Sequence, residues 1–367
     1  MTRRTMRWRT AAGRPATRGT ATRHPARRRT AAPALAAALA VATAFGLAAC
    51  GTVNLDAPVG TASQYRLVQY PGAGFSDFYA QTAAAKTSID MEMYELSDPR
   101  EEAALIAARS RGVVVRVLLN SKYGARAANE PAFAALTAGG VSVRWASDAE
   151  IFHAKVTTFD GTTSDISTAN LTSQYYATTR DAEIVDTNPV QVHAIEQTFE
   201  SDWGGGTPNQ GEVDAPGLVW SPDSERTMVA FIHSAKSSVH FMSEELADPY
   251  ISDALADDAR NGVRCEIVMV DDPKWSKAFA SVTAAGCVVH TIPNSPTGFY
   301  IHEKALLVDA GSSHASLLIG SQNASYSSLA FNRELSIILT EAVTPDLIAA
   351  VSGTFDQDFS EANPWRG

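Results

Sequence analysis

The chain has 367 residues, with 30 basic and 40 acidic side chains, 45% hydrophobic residues, 17 prolines and only three cysteines. At about 100 to 200 residues per domain, this predicts two domains with ample core; it excludes a disordered chain, a collagen-like repeat and a disulfide-stapled miniprotein. The formal net charge of −10 is unevenly spread along the chain.

Residues 1–49 contain ten arginines and no acidic residue, and the first carboxylate is Asp56. An apolar run over 34–49 follows the arginines, too short to span a bilayer as a permanent helix. A basic segment, a short apolar run and small residues at its end read as an export signal rather than structure. The run closes on Leu47-Ala48-Ala49-Cys50, which resembles the lipobox of bacterial lipoproteins. That resemblance implies diacylation of Cys50, two chains on one residue being enough for stable anchoring. The expected location is the outer face of the cytoplasmic membrane, with a secreted protein as the alternative. Removing 1–49 takes ten of the 30 cations and leaves 20 against 40 anions, a net charge near −20. Such a surface argues against nucleic acid as a partner unless a local cationic pocket overrides it.

Past a tether at 50–63 the chain repeats itself. Ala85-Lys86-Thr87-Ser88-Ile89 and Glu95-Leu96-Ser97-Asp98-Pro99 recur as Ala235-Lys236-Ser237-Ser238-Val239 and Glu245-Leu246-Ala247-Asp248-Pro249, at an offset of 150 residues. A period this long means two duplicated domains rather than a solenoid. In each copy the pattern predicts a strand (Ser88–Met93; Ser238–Met242), a helix (Pro99–Ser110; Pro249–Arg260) and a β-branched strand (113–119; 263–270). A second helix (130–138; 274–284) and a further strand (141–145; 287–292) complete it. Strand-helix alternation predicts α/β domains, each a mainly parallel or mixed sheet flanked by helices. The expected domains are 64–203 and 217–367, joined by a glycine-rich linker at 204–216. Cys265 and Cys287 could pair in an exported chain, or remain buried free thiols.

After the third strand, each copy carries the same constellation. The first reads His153-Ala154-Lys155 with Asp160, then Thr168 and Asn170; the second reads His302-Glu303-Lys304 with Asp309, then Ser321 and Asn323. Both fit H-x-K-x4-D followed by a hydroxyl residue, any residue and Asn. On a strand, residues two apart share a face, so each His projects with its Lys. Each Asp lies at an odd offset from its His, which assigns Asp160 and Asp309 to bracing the local backbone. Glu183 and Glu334 follow at similar distances and are the expected carboxylates to orient the imidazoles. Two imidazoles, two ammonium groups and several amide or hydroxyl donors suit a phosphodiester. The aromatic residues Tyr175, Tyr176, Phe299, Tyr300 and Tyr326 flank the motifs, and core packing is their expected role.

On the duplicated H-x-K-x4-D motif the chain resembles the phospholipase D superfamily. The resemblance implies two domains related by a pseudo-twofold axis and one active site shared between them in a monomer. It further implies attack without a metal or other cofactor, His153 as nucleophile and His302 as acid and base. Only Ser167-Thr168 departs from the pattern, standing where the second copy has Gly320-Ser321. The expected function is a membrane-tethered phospholipase D that releases phosphatidic acid and a head-group alcohol. The alternatives are an exported nuclease of the same superfamily and a non-catalytic phosphate-binding lipoprotein.

Overall fold

The computed structural model describes residues 60–367 apart from Gln210 and Asp214. The expected export segment, the expected acylation site at Cys50 and most of the expected tether lie outside the described residues. Among these residues no helix is long and apolar enough to cross a membrane.

The first half runs β1 (Tyr65–Tyr70), α1 (Ser76–Ala84), β2 (Ser88–Met93), α2 (Pro99–Ser110), β3 (Val114–Leu119), α3 (Ala125–Ala138), β4 (Ser142–Trp145), β5 (Lys155–Phe159), β6 (Thr163–Ser167), β7 (Thr179–Asp186) and α4 (Pro189–Trp203). The second half runs β8 (Leu218–Ser221), α5 (Glu225–Ile232), β9 (Ser238–Met242), α6 (Pro249–Arg260), β10 (Arg264–Asp271), α7 (Ser276–Ala285), β11 (Val288–Pro293), β12 (Tyr300–Ile301), β13 (Ala305–Val308), β14 (Ser316–Gly320), α8 (Tyr326–Ala330), β15 (Glu334–Thr340), α9 (Pro345–Glu361) and β16 (Asn363–Pro364). Helices α2 and α6 start alike because Asp98 and Asp248 cap them, each accepting two backbone N–H groups ahead of a proline.

Each half builds one mixed sheet, in the orders β1-β7-β6-β5-β2-β3-β4 and β16-β11-β10-β9-β13-β14-β15-β8. The parallel part is narrower than strand-helix alternation suggests. It comprises β2, β3 and β4, and their counterparts β9, β10 and β11. The motif strands β5 and β13 join antiparallel to β2 and β9, and tight returns continue the antiparallel pattern through β6, β7, β14 and β15. Helices α1 to α3 cover the first sheet around Ile89, Leu105, Val117 and Leu136, and α5 to α7 cover the second around Phe231, Leu255, Ile267 and Phe279. A third apolar cluster contains Val156, Ile166 and Ile184 from the first sheet with Leu307, Leu317 and Ile337 from the second, so the two sheets share one buried face. Burying apolar surface there contributes about 25 cal/mol per Å² and fixes the two motifs relative to each other.

Cys265 and Cys287 are joined by a disulfide within the second half, their Cα atoms 4.5 Å apart and 22 residues apart in sequence. Closing a loop of this size contributes about 3 kcal/mol by restricting the unfolded chain.

Several carboxylates are buried without cations. Glu101, fully buried on α2, accepts a hydrogen bond from Thr82 Oγ1 (2.8 Å) while its second oxygen has no partner. Burial pushes its pKa up to about 8, and Glu303 is raised to a similar value. A carboxyl that stays protonated in the native state but ionises on unfolding contributes stability at low pH, and that stability is lost as pH rises from about 4.5 through about 8. The melting temperature is therefore expected to fall between about pH 5.5 and about pH 8. Glu101→Gln should flatten the slope by up to about 1.4 kcal/mol per pH unit. Melting curves of both proteins across that range check this, and parallel slopes would contradict it.

Candidate active site

Neither motif histidine lies within a regular strand. Residues 151–154 approach the second sheet, where Phe152 bridges to Arg333 and the backbone N–H groups of His153 and Ala154 both donate to the Arg333 carbonyl (2.8 and 2.9 Å). In the same way β12 pairs with β7 of the first half, and the N–H groups of His302 and Glu303 donate to the Arg180 carbonyl (3.0 and 2.7 Å). Each half thus hands its histidine to the N-terminal end of an interior strand, β7 or β15, of the other half's sheet. The residue after each accepting arginine is the carboxylate that holds the incoming ring.

His153 Nδ1–H donates to Glu334 Oε2 (2.8 Å), and His302 Nδ1–H donates to Asp181 Oδ1 (2.8 Å). A carboxylate can only accept, so each Nδ1 carries a proton and Nε2 is the ring nitrogen left for chemistry. This sharpens one sequence expectation and corrects another. Glu334 does orient an imidazole, but that of the opposite half, and its counterpart is Asp181 rather than Glu183. Glu183 points away from the centre, where its carboxylate accepts from Tyr70 Oη (3.2 Å) and is pushed up to a pKa of about 7 by burial. The strand register gives the reason. Ser167 pairs with Glu183 as Gly320 pairs with Ser336, so Glu183 matches Ser336 and Asp181 matches Glu334.

Hydroxyl and amide donors hold these carboxylates ionised. Asp181 accepts from Thr168 and Thr179 (2.6 Å each); Glu334 accepts from Ser328 (2.6 Å) and Asn332 (2.9 Å). Burial raises the pKa of both, but the facing imidazoles and lysines outweigh it and hold each below its ordinary value. Thr168 and Ser321 are therefore engaged in the scaffold: Thr168 Oγ1 also accepts from the Ala182 N–H, and Ser321 Oγ accepts from the Leu335 N–H.

Lys155 and Lys304 lie beneath the rings, and each ammonium donates to the carbonyl of its own motif histidine. Burial, followed by the charge of Lys304, lowers the pKa of Lys155 to about 7. Burial, reinforced by the lysine charges and opposed by Glu334, lowers that of His153 and favours a neutral ring. Asp160 and Asp309 brace the backbone as expected. Each adopts a left-handed conformation (φ 54° and 53°) and accepts three backbone N–H groups, from 86–88 and 236–238 respectively.

His153, His302, Asn170 and Asn323 open onto one cavity of about 540 Å³. Tyr175, Tyr176 and Tyr300 line it; Tyr176 and Tyr300 also pack against apolar clusters, whereas Tyr175, Phe299 and Tyr326 are exposed. The same wall holds Glu95, Glu244 and Glu245, three acids that the motif does not flag. A ring held neutral by burial at His153 and a second ring at His302 facing the same cavity can attack phosphorus from one side and protonate a leaving oxygen from the other. Among the described residues no group of three or more His, Cys, Asp or Glu side chains is placed to hold a metal ion.

A duplicated α/β frame with one paired His-Lys centre defines a phosphoryl-handling class of protein. A family model described as cardiolipin synthase, PLD-like domain, matches residues 79–203 and 228–360, and the chain belongs to this phospholipase D-like family. Members of the superfamily are phosphodiesterases and transferases. The mitochondrial cardiolipin hydrolases of Xenopus tropicalis and Xenopus laevis are 29% and 27% identical over 131 residues. These matches cover 36% of this chain and 61% of each relative, less than two thirds of their length. In fold, the chain resembles phosphatidylserine synthase from Haemophilus influenzae with a TM-score of 0.64 at 12% identity, over 84% of this chain and 88% of that one. It resembles polyphosphate kinase from Porphyromonas gingivalis with a TM-score of 0.59 at 14% identity, over 81% and 50%.

Proposed function

We propose that the protein is a phospholipase D that hydrolyses phospholipids to phosphatidic acid and a head-group alcohol through a phosphohistidine, without a metal. The observation that carries this reading is the crossed pair of imidazoles, each fixed through Nδ1 on a buried carboxylate and sharing one cavity. His153 Nε2 attacks phosphorus, and the P–O bond to the head group breaks as His302 Nε2–H protonates the leaving oxygen. His302, now neutral, takes a proton from water as the water oxygen attacks phosphorus; the N–P bond breaks and His153 is restored. The roles divide this way because Glu244 Oε2 lies 3.4 Å from His302 Nε2, within reach of an N–H there, whereas His153 is held neutral by burial.

A lipid is preferred to a nucleic acid because the cavity wall carries Glu95, Glu244 and Glu245, which repel a polyanion. The family description and the cardiolipin hydrolases point to phospholipids as well. Export and acylation at Cys50 are part of this proposal and would place the site on the outer face of the cytoplasmic membrane. Mature protein in EDTA should release choline from phosphatidylcholine vesicles and leave plasmid DNA intact. DNA cleavage without lipid turnover would make it a nuclease, binding without turnover of any phosphodiester would make it a phosphate-binding lipoprotein, and loss of all turnover in EDTA would remove the metal-free step.

A further inference from the structure

Glu244 stands on the segment between β9 and α6, and the 150-residue repeat places Tyr94 at the equivalent point of the first half. The two positions do different things. Tyr94 packs edge-on against His153, with ring centroids 4.6 Å apart, and lies 5.1 Å from Lys155 Nζ. Glu244 brings a carboxylate into the corresponding space. Its Oε2 lies 3.3 Å from Lys304 Nζ, 3.4 Å from His302 Nε2 and 3.4 Å from Asn323 Nδ2, and Tyr300 Oη donates to its Oε1 at 3.1 Å.

Those three nitrogens are the donors that the second motif would offer to a phosphoryl oxygen. A carboxylate oxygen and a phosphoryl oxygen make the same charge-assisted bonds to an ammonium, an imidazole N–H and an amide. We infer that Glu244 is a specificity-determining residue whose carboxylate competes for the phosphoryl seat of the second motif, so that the site admits monoanionic phosphodiesters and rejects dianionic phosphate monoesters. The inference rests on reading this cavity as a phosphodiester site.

The physical argument is one of charge and reach. Burial raises the pKa of Glu244, but Lys304, His302 and His153 together overcome it and hold the group ionised. A ligand oxygen that takes the seat must part Oε2 from Lys304 and His302. The side chain is 26% exposed and faces the cavity, so it has space to withdraw. It nevertheless stays tethered within a few ångströms of the bound phosphorus, and its repulsion doubles when the ligand carries two charges instead of one. Glu95 and Glu245 share the wall but make no ion pair with the motif residues, so the competition for the seat belongs to Glu244.

Calorimetric titration of inorganic phosphate and of dimethyl phosphate, at a pH where the first is mostly a dianion and the second a monoanion, tests this without requiring turnover. Glu244→Gln should bind inorganic phosphate about tenfold more tightly than the wild type and dimethyl phosphate by a clearly smaller factor. Glu244→Ser, which removes the carboxylate without adding an amide, should do the same. Glu95→Gln should change either affinity by less than about threefold. Unchanged or weaker phosphate binding by both Glu244 variants would overturn the inference, as would an equal gain from Glu95→Gln. If phosphate binding tightens but wild-type protein hydrolyses no phosphodiester, the seat stands and the catalytic reading falls. If turnover is found without tightening, the catalytic reading stands and the inference falls.

Discussion

Alanine at His153 is expected to lower the turnover of every phosphodiester by about 10⁴-fold or more, because it removes the nucleophile itself. Alanine at His302 should be nearly as damaging with phosphatidylcholine, whose alkoxide must be protonated to leave. General acid catalysis of that kind contributes about 10²- to 10⁴-fold. With an aryl phosphodiester the leaving phenolate needs no proton, so the first turnover of His302→Ala should persist while its second step stalls. Both side chains are held from outside their rings by Glu334 and Asp181, and the backbone geometry at 153–154 and 302–303 rests on the carbonyls of Arg333 and Arg180. Shortening either histidine leaves the backbone supports in place but strips a partner from a buried carboxylate, so a large loss of rate should accompany a modest fall in melting temperature. Steady-state and burst kinetics with the two substrates check this, and more than about a tenth of wild-type turnover in His153→Ala would contradict it.

Arg333→Met is expected to cost about 3 to 5 kcal/mol of stability, the range for removing one partner of a buried ion pair. Arg333 is fully buried. Its Nη2 donates to Asp202 Oδ1 (3.0 Å), its Nε lies 2.7 Å from Oδ2, and its Nη1 donates to the Asn209 carbonyl (2.8 Å). The 204–216 connection is thus pinned to the second half at Asn209 and is not a free linker. Beside the pair, burial and then the charge of Asp202 raise the pKa of Glu92 well above its ordinary value, so that removing the arginine would leave two carboxyl groups facing each other in the core. Asp202 belongs to α4 of the first half and Arg333 precedes β15 of the second, so the pair locks the halves together. The matching pair, Arg180 with Asp358, crosses in the opposite sense through two bonds of 2.6 and 2.8 Å. Denaturant unfolding of Arg333→Met should show the loss, and Asp202→Asn added to it should recover part by removing the stranded charge. A loss below about 1 kcal/mol would contradict this account of the interface.

The duplicated frame was readable because the two copies keep the same periodicities. Ser88–Met93, Pro99–Ser110, Ser238–Met242 and Pro249–Arg260 fall where apolar patterning and the Asp-Pro caps put them. Helix α3 starts at Ala125, ahead of the predicted 130, because its N-terminal turns follow Gly124 in a left-handed conformation and carry no side-chain cap; Pro131 lies inside the helix where it would usually mark a start. The motif residues were legible too, since His, Lys and Asn at fixed spacing have little other reason to recur.

What single-copy reasoning missed is the exchange between halves. Counting from each histidine makes Glu183 resemble Glu334, because the turn between β13 and β14 (309–315) is four residues longer than that between β5 and β6 (160–162). Counting from the motif asparagines removes the error: Asp181 and Glu334 both stand eleven residues beyond Asn170 and Asn323. That regularity was present in the chain, but its meaning depends on β12 and residues 151–154 crossing to the opposite sheets, a non-local pairing that no local propensity encodes. Glu244 was illegible for a related reason. It differs from its repeat partner Tyr94, and only the packing of both halves around one cavity gives that difference a chemical role.

The measurement closest to the central claim, one centre assembled from both halves, is intact-mass analysis of the His302→Ala protein after brief mixing with an aryl phosphodiester, followed by peptide mapping under alkaline conditions that preserve phosphohistidine. A single phosphoryl adduct on His153 is the expected result, absent from the His153→Ala protein. An adduct on any residue other than His153, or aryl release with no adduct on the chain, would contradict the account.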